Sequence, residues 1–410
     1  GWARHLVPTR AHRQPSPNPI VLPYACVGTV SAVSSFKNSH PHETSLRKCS
    51  AARSHCRIAL QFSPMSHLDI LLPFALPPIA MGPDLLRAMQ APSLAVLLAR
   101  SKPTSVQTHD AFAHALPHES WLATAFGLSP VSTIDNSPPL ALQAMHRRGF
   151  APESGIWFVL NPVHIHIARD HLVLTDPRRL ALADADSRTL FALAAPLFEE
   201  GGQQLVYGDA ANWFLRADHW SDLQTATLDA ACGHNIDIWM PKGPTERDWR
   251  KVQNEIQMHW HDCAVNQSRE DSGLDPVNSL WLWGATSAEP SAPLSRYTDV
   301  FNLADWRGEA VRHSDDAAIA DVLVAKPAHG LLLLDMLIEP ALGEDLSEWL
   351  LRMNSLEALW FAPVLQALKD GVLDSCRLIL THGSLVTEQL VTRTTLRKFW
   401  LKPSLKGLLQ

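Results

Sequence analysis

Residues 265–284 read VNQSREDSGLDPVNSLWLWG, and the fold turns on how that stretch is read. Polar and charged residues run up to Gly273, Gly273 and Pro276 shape a turn, and SLWLWG follows at 279–284. Glycine tolerates positive φ and proline fixes φ, so the middle reads as a loop. The apolar run behind it reads as a buried strand ending in Gly284. Asn266, Arg269 and Asn278 have side chains able to tie the loop together or to face an anion. Just upstream, 245–261 is the clearest helix of the chain. Trp249, Val252, Ile256 and Trp260 recur there at three- and four-residue steps and make one apolar stripe. Thr245 with Asp248 forms a capping-box pattern at its start.

The same alternation extends in both directions. Residues 67–74 form a short apolar run of β type, and 84–100 give two helical pieces divided at Pro92. Residues 101–118 are polar with scattered His and Pro and read as a loop; 121–128 suits a helix, and 129–139 is a break. Residues 155–167 read as one strand, or as two joined at Asn161 and Pro162, with 170–174 continuing the β pattern. A helix is expected from Asp184 to Gly201, with strands at 205–207 and 213–215. In the last third, 346–360 is helical, and 377–381 turns at His382, Gly383 and Ser384 into 385–391 as a hairpin. The predicted class is α/β, with a mixed or mostly parallel sheet flanked by helices. The expected domains are a main α/β domain at 65–284, a linker at 285–300, and a C-terminal part at 301–410 completing the same sheet.

Composition narrows the functions. The chain carries a formal charge of −6, which argues against non-specific nucleic-acid binding. No apolar run reaches the length of a membrane helix. Charge is uneven: residues 1–64 hold eight Lys/Arg and one acid, Glu43, leaving about −13 on the remainder. Three readings fit that extension: an organelle leader, a disordered basic arm, or non-native sequence upstream of a true start at Met65. The last is favoured. Cys232, Cys263 and Cys376 in the body are widely spaced and odd in number, which fits a reducing, cytoplasmic compartment better than disulfides or a zinc module.

Few constellations point to chemistry. His164 and His166 flank one residue in a strand, so their imidazoles share a face and form a candidate metal pair. A metal there needs further ligands, and no second motif supplies them. His259 and His261 diverge by about 200° on a helix and do not pair. No phosphate loop, dinucleotide fingerprint or nucleophile elbow is present. Residues 232–250 place His234, Asn235, Lys242 and Arg250 near the start of the clear helix, a candidate anion site. The C-terminal bases Arg393, Arg397, Lys398, Lys402 and Lys406 offer a contact surface; the blander expectation is a solvated closing segment packed through Phe399 and Trp400.

Asn266, Arg269, Gly273, Pro276, Asn278 and Gly284 stand where archaeal-type cofactor-independent phosphoglycerate mutases carry N-x-x-R-x-x-x-G-x-x-P-x-N before a buried strand, so the segment resembles that family. A broader set of phrases resembles the RpfE-type regulatory proteins. They are WFVLNPVH (157–164), WFLRAD (213–218), GHNIDIWMPKG (233–243), WRKVQNEIQM (249–258), VNSLWLWG (277–284), WFAP (360–363) and LRKFW (396–400). The mutase resemblance implies a degenerate alkaline-phosphatase-superfamily-like fold, with two metals and a serine nucleophile in working members. The first strand here ends without the Asp those enzymes use, and His382 is the one ligand retained at a later strand end. The regulatory resemblance implies a role in bacterial virulence regulation. The leading expectation is a non-catalytic regulatory scaffold binding a phosphorylated small molecule or a regulatory protein, with no cofactor, nucleic acid or membrane. Under this reading His234, Asn235, Lys242, Arg250, Asn266, Arg269 and Asn278 are the ligand candidates. The alternatives are a divalent-metal-dependent mutase-like or hydrolytic enzyme using His164 and His166, and a protein-interaction module.

Overall fold

The computed structural model describes residues 65–128, 136–169, 171–287, 296–303 and 311–409. The basic extension 1–64 lies outside them, as do most of the expected break at 129–139 and half of the expected linker at 285–300. Along the chain come β1 (His67–Leu72), β2 (Lys102–Thr108), β3 (Ile156–Val163), β4 (Ile165–Ala168), β5 (His171–Leu174), β6 (Gln204–Tyr207), β7 (Trp213–Arg216) and β8 (Ser279–Ser287). They are followed by β9 (Asp299–Phe301), β10 (Arg312–Ser314), β11 (Gly330–Leu333), β12 (Ser375–His382) and β13 (Leu385–Thr392).

Among the described residues, seven strands form one sheet in the order β10-β9-β11-β1-β12-β13-β2. Pairing is parallel from β10 through β12 and antiparallel at β13 and β2, so the sheet is mixed and mostly parallel. A second, antiparallel sheet has the order β6-β7-β3-β8, and β4 pairs with β5 as a hairpin. Residues 67–108 and 299–392 build the first sheet, and β3 to β8 lie between them in sequence.

β1 is central because it is buried on both faces, as a parallel strand covered on each side must be. Leu68, Ile70 and Leu72 pack with Trp349, Phe361 and Val364 from the helices Leu346–Leu356 and Ala362–Asp370 and the turn between them. Leu71 faces the other way, onto Trp121, Leu122 and Phe126 at the helix Pro117–Ala125. Asp69 shares that second face and is 1% exposed. Its two oxygens accept from His67 Nε2 (2.7 Å), Arg377 Nε and Nη2 (2.8 and 2.6 Å), the Tyr297 hydroxyl (2.8 Å) and Arg296 Nη2 (3.1 Å). Burial alone would raise the Asp69 pKa, but the bonds from His67 and Arg377 outweigh it and hold the carboxyl well below its ordinary range.

In the second sheet, Phe158, Leu160, Trp213, Leu215, Leu280 and Leu282 pack under Trp249, Ile256 and Trp260 of the helix Glu246–His261. Residues 265–284 fold as the body of a helix (Ala264–Asp271), a turn with Gly273 at φ +73°, and the first part of β8. Asn266 is 1% exposed; its amide donates to the Trp260 and Val277 carbonyls, and its oxygen accepts from the Val277 amide, each at 2.8 Å.

Four expectations need correction. Residues 102–108 are β2 rather than loop: nearly every side chain is exposed, so no apolar period announces an edge strand that β13 pairs. The strand at 155–167 runs through Asn161 and Pro162 and breaks at His164 instead. Thr245 makes no side-chain cap; the Gly243 amide donates to Glu246 Oε2 in its place (3.4 Å). Phe399 and Trp400 do not pack the closing segment. They are 80% and 67% exposed and contact each other edge-on at 5.4 Å, while Leu396 and Leu408 anchor that region.

Two substitutions test these ties. Asn266→Ala leaves buried backbone groups unpaired and costs about 2 to 4 kcal/mol in urea unfolding. Asp69→Asn costs about 3 to 5 kcal/mol at pH 7, because it leaves the mostly buried Arg377 without its charge partner. Since the folded pKa of Asp69 is depressed, its contribution is present above the unfolded value of 3.8 and lost as pH falls below it. Unfolding curves at pH 7 and pH 3 therefore converge more closely for Asp69→Asn than for the parent chain.

Candidate functional site

The carboxyl ends of parallel strands are where open α/β sheets place their ligands. β1 ends at Leu72, and Phe74 just beyond it, at φ +55°, sets its ring edge-on to His118 at 6.0 Å. The helix Pro117–Ala125 starts there, with Pro117, His118 and Glu119 as its first three residues. Proline suits the first position, and a glutamate at the third reaches back to the amide before the helix. Glu119 Oε2 accepts from the Leu116 amide (2.7 Å) and from the Thr227 hydroxyl (2.6 Å).

Thr227 caps a second short helix, Leu228–Ala231, and so brings Asp229 beside Glu119. Asp229 is held from the loop after β5: Arg178 Nη2 donates to both its oxygens (2.8 and 2.6 Å). Arg178 Nη1 and its amide donate to Asp176 Oδ1, each at 2.9 Å. Ligand atoms of His118, Glu119 and Asp229 lie within 4.8 Å of one another, the one such group of three found among the described residues. His118 Nδ1 and Asp176 Oδ2 are buried with no hydrogen-bond partner among those residues. Asp335, two residues past the end of β11, is within electrostatic reach of Arg178 and Asp229.

The electrostatics follow from burial. Burial, helped by the Asp229 charge and opposed by bonds from Thr227 and Leu116, pushes the Glu119 carboxyl up to about 8. Burial pushes His118 down to about 4, so its imidazole is neutral at pH 7. Arg178 stays charged: burial acts against it, but Asp229 and Asp176 outweigh that and raise its pKa. A neutral imidazole nitrogen and two carboxyl groups converging on one point are a donor set for a divalent cation of the zinc or manganese type.

The sequence-predicted residues sit elsewhere. His164 and His166 do share a face, their rings nearly parallel at 5.9 Å. His164 Nδ1 is bonded to the Pro276 carbonyl (2.7 Å) and His166 Nδ1 to the Thr175 hydroxyl (3.2 Å). No third metal-ligating side chain converges on them among the described residues. Asn266 is committed to the loop, Asn278 exchanges two bonds with the Ile165 backbone, and Arg269 donates to the Asp275 and Leu180 carbonyls. His234 is exposed and stacks on Trp239 (5.3 Å), and Asn235 caps its own turn through the Asp237 amide. Lys242 is exposed, and Arg250 is 3.9 Å from Glu246. His382 lines an apolar cavity with Leu76, Leu385 and Leu408, with no carboxylate in its wall. The clustered residues escaped the reading because Glu119 and Thr227 meet across 108 positions. The one local signal was a pair of polar helix starts, at 117–119 and 227–229.

No protein-family model and no curated protein matches the chain. Among solved structures, it is similar to a cofactor-independent phosphoglycerate mutase from Thermoplasma acidophilum DSM 1728, with 13% identity and a TM-score of 0.41 over 84% of this chain and 94% of that one. It is also similar to the PH0037 protein from Pyrococcus horikoshii, with 12% identity and a TM-score of 0.47 over 80% and 88% of the respective chains. Both are distant resemblances of overall fold. Among the described residues no helix is long and apolar enough to cross a membrane.

Proposed function

We propose that the protein is a regulatory, ligand-binding scaffold in which His118, Glu119 and Asp229 hold one divalent cation that receives a phosphorylated small molecule. The observation that supports this is the convergence of those three side chains, with His118 Nδ1 buried and without a hydrogen-bond partner among the described residues. Three protein ligands leave coordination positions open to an anionic ligand, as in other open sites. The regulatory part rests on the resemblance of the quoted phrases to RpfE-type proteins. Binding is favoured over phosphoryl transfer because the hydroxyl beside these ligands is already engaged. Thr227 donates to Glu119 and accepts from the Ala230 amide. A nucleophile needs a base and freedom to attack, and Thr227 has neither.

A second reading has one observation in its favour. In it His118 and Asp229 alone hold the ion, and the Glu119 carboxyl, pushed up to about 8, is left off the metal as a general acid in metal-assisted phosphomonoester hydrolysis.

Chelator-treated protein titrated calorimetrically with Mn²⁺ or Zn²⁺ is expected to take up one ion. His118→Ala weakens uptake at least tenfold with unchanged far-UV circular dichroism, and Asp229→Ala does the same. At a hundredfold excess over Kd, the ion adds about 2.7 kcal/mol to stability, read as a rise in Tm. Uptake that does not saturate, or that is indifferent to His118→Ala, ends this reading. Assay of p-nitrophenyl phosphate with the Mn²⁺-loaded chain decides between the two readings: binding predicts no turnover, and turnover abolished by Glu119→Gln establishes the hydrolytic one.

A further inference from the structure

A cavity of about 520 Å³ opens at the opposite end of the central sheet, where β1 and β12 begin. The length of β1, roughly 20 Å, separates it from the His118 cluster. Its volume falls within the range of small-molecule sites. His67 and Ser375, paired at the start of the two strands, lie in its wall with Arg377 two residues further on. Arg296, Tyr297 and His329 supply the rest of its polar lining.

Among the described residues, Asp69 is the one carboxylate in that lining, and its oxygens are already taken. With 1% of its side chain exposed, it already accepts from His67, Arg377, Tyr297 and Arg296. What remains facing the cavity is donor-rich and cationic. Arg296 is half exposed and reaches Asp69 and Tyr297 through Nη2, with Nε and Nη1 in no hydrogen bond among the described residues. Its guanidinium also lies 5.1 Å from the centre of the Tyr297 ring, a cation–π contact that fixes it at the rim. His329 is exposed there, its ring 6.1 Å from that of His67. A fork of guanidinium donors held in place before the ligand arrives is the standard means of receiving carboxylate or phosphate oxygens. Asp69 thus positions two arginines: Arg377 is spent on Asp69 and Glu388, and Arg296 keeps donors beyond its bonds to Asp69 and Tyr297.

We propose that this cavity is a second binding site, for a small organic oxyanion whose phosphate or carboxylate group is received by Arg296 and His329, while the Ser375 hydroxyl is held by His67 Nδ1 (2.7 Å). It needs no metal and is independent of the His118 cluster.

The test is calorimetric titration of the full chain, stripped of metal by chelator, with inorganic phosphate and separately with citrate at constant ionic strength. Saturable binding of either anion is expected, weakened at least tenfold by Arg296→Gln or His329→Gln and unchanged by His118→Ala. Preference for phosphate or citrate assigns the group that the ligand carries. Arg296 and His329 are surface residues, so thermal unfolding of their variants stays close to the parent. Lys326→Gln, which removes an exposed cation outside the cavity, leaves affinity unchanged. The proposal is overturned if neither anion binds saturably, if Lys326→Gln weakens binding as much as Arg296→Gln, or if binding disappears with His118→Ala and survives Arg296→Gln.

Discussion

Asp69 sits in the middle strand of the main sheet with its charge intact, and that single burial constrains everything around it. A carboxylate removed from water is costly unless paired and hydrogen-bonded. Its partners come from β1 itself, from β12, and from the residues just before β9, so the first and last parts of the described chain must assemble together. Arg377 passes the constraint on, donating to Glu388 of β13, which in turn accepts from the Trp121 indole of the helix Pro117–Ala125. One charge therefore ties β1 to β12, to the segment before β9, and through Arg377 and Glu388 to the helix whose first turn carries His118 and Glu119.

That helix links the two ends of the sheet. Its middle is tied by Trp121 to the Asp69 network, and its start delivers a neutral imidazole and a protonated carboxyl to the His118 cluster. The cluster is completed from the segment between β3 and β8, by way of Asp229 and Arg178. Groups that disfavour charge in isolation, and would accept a cation together, are what a metal-dependent site needs before its ion arrives. The contrast with the Asp69 network is instructive. There the carboxylate is saturated with donors and strongly ionised, so it orders structure; at Glu119 the same chemistry is left short of positive charge.

Much of the architecture was legible in the sequence because it is periodic. The apolar runs at 67–74, 279–284 and 377–391 announced strands β1, β8, β12 and β13, and the Trp249 to Trp260 stripe announced its helix. β2 was not legible: an exposed edge strand has no apolar face to write into its residues, and its identity lies in the backbone of β13. The site was less legible still. Asn266 and Asn278 looked like ligand candidates because buried amides that tie loops and amides that face ligands are the same residues in sequence.

The sequence by itself determined the α/β class, the main elements and the Gly273–Pro276 turn, since these depend on local φ/ψ preference and on the period of apolar side chains. Only the tertiary structure decided which polar residues meet. His118, Glu119 and Asp229 converge across more than a hundred positions, and Asp69 gathers Arg296 and Arg377 from the far end of the chain. The physical reason is that electrostatic partnership depends on distance through space and on burial. Neither is encoded in spacing along the chain, and both are set only once the sheet has closed around β1.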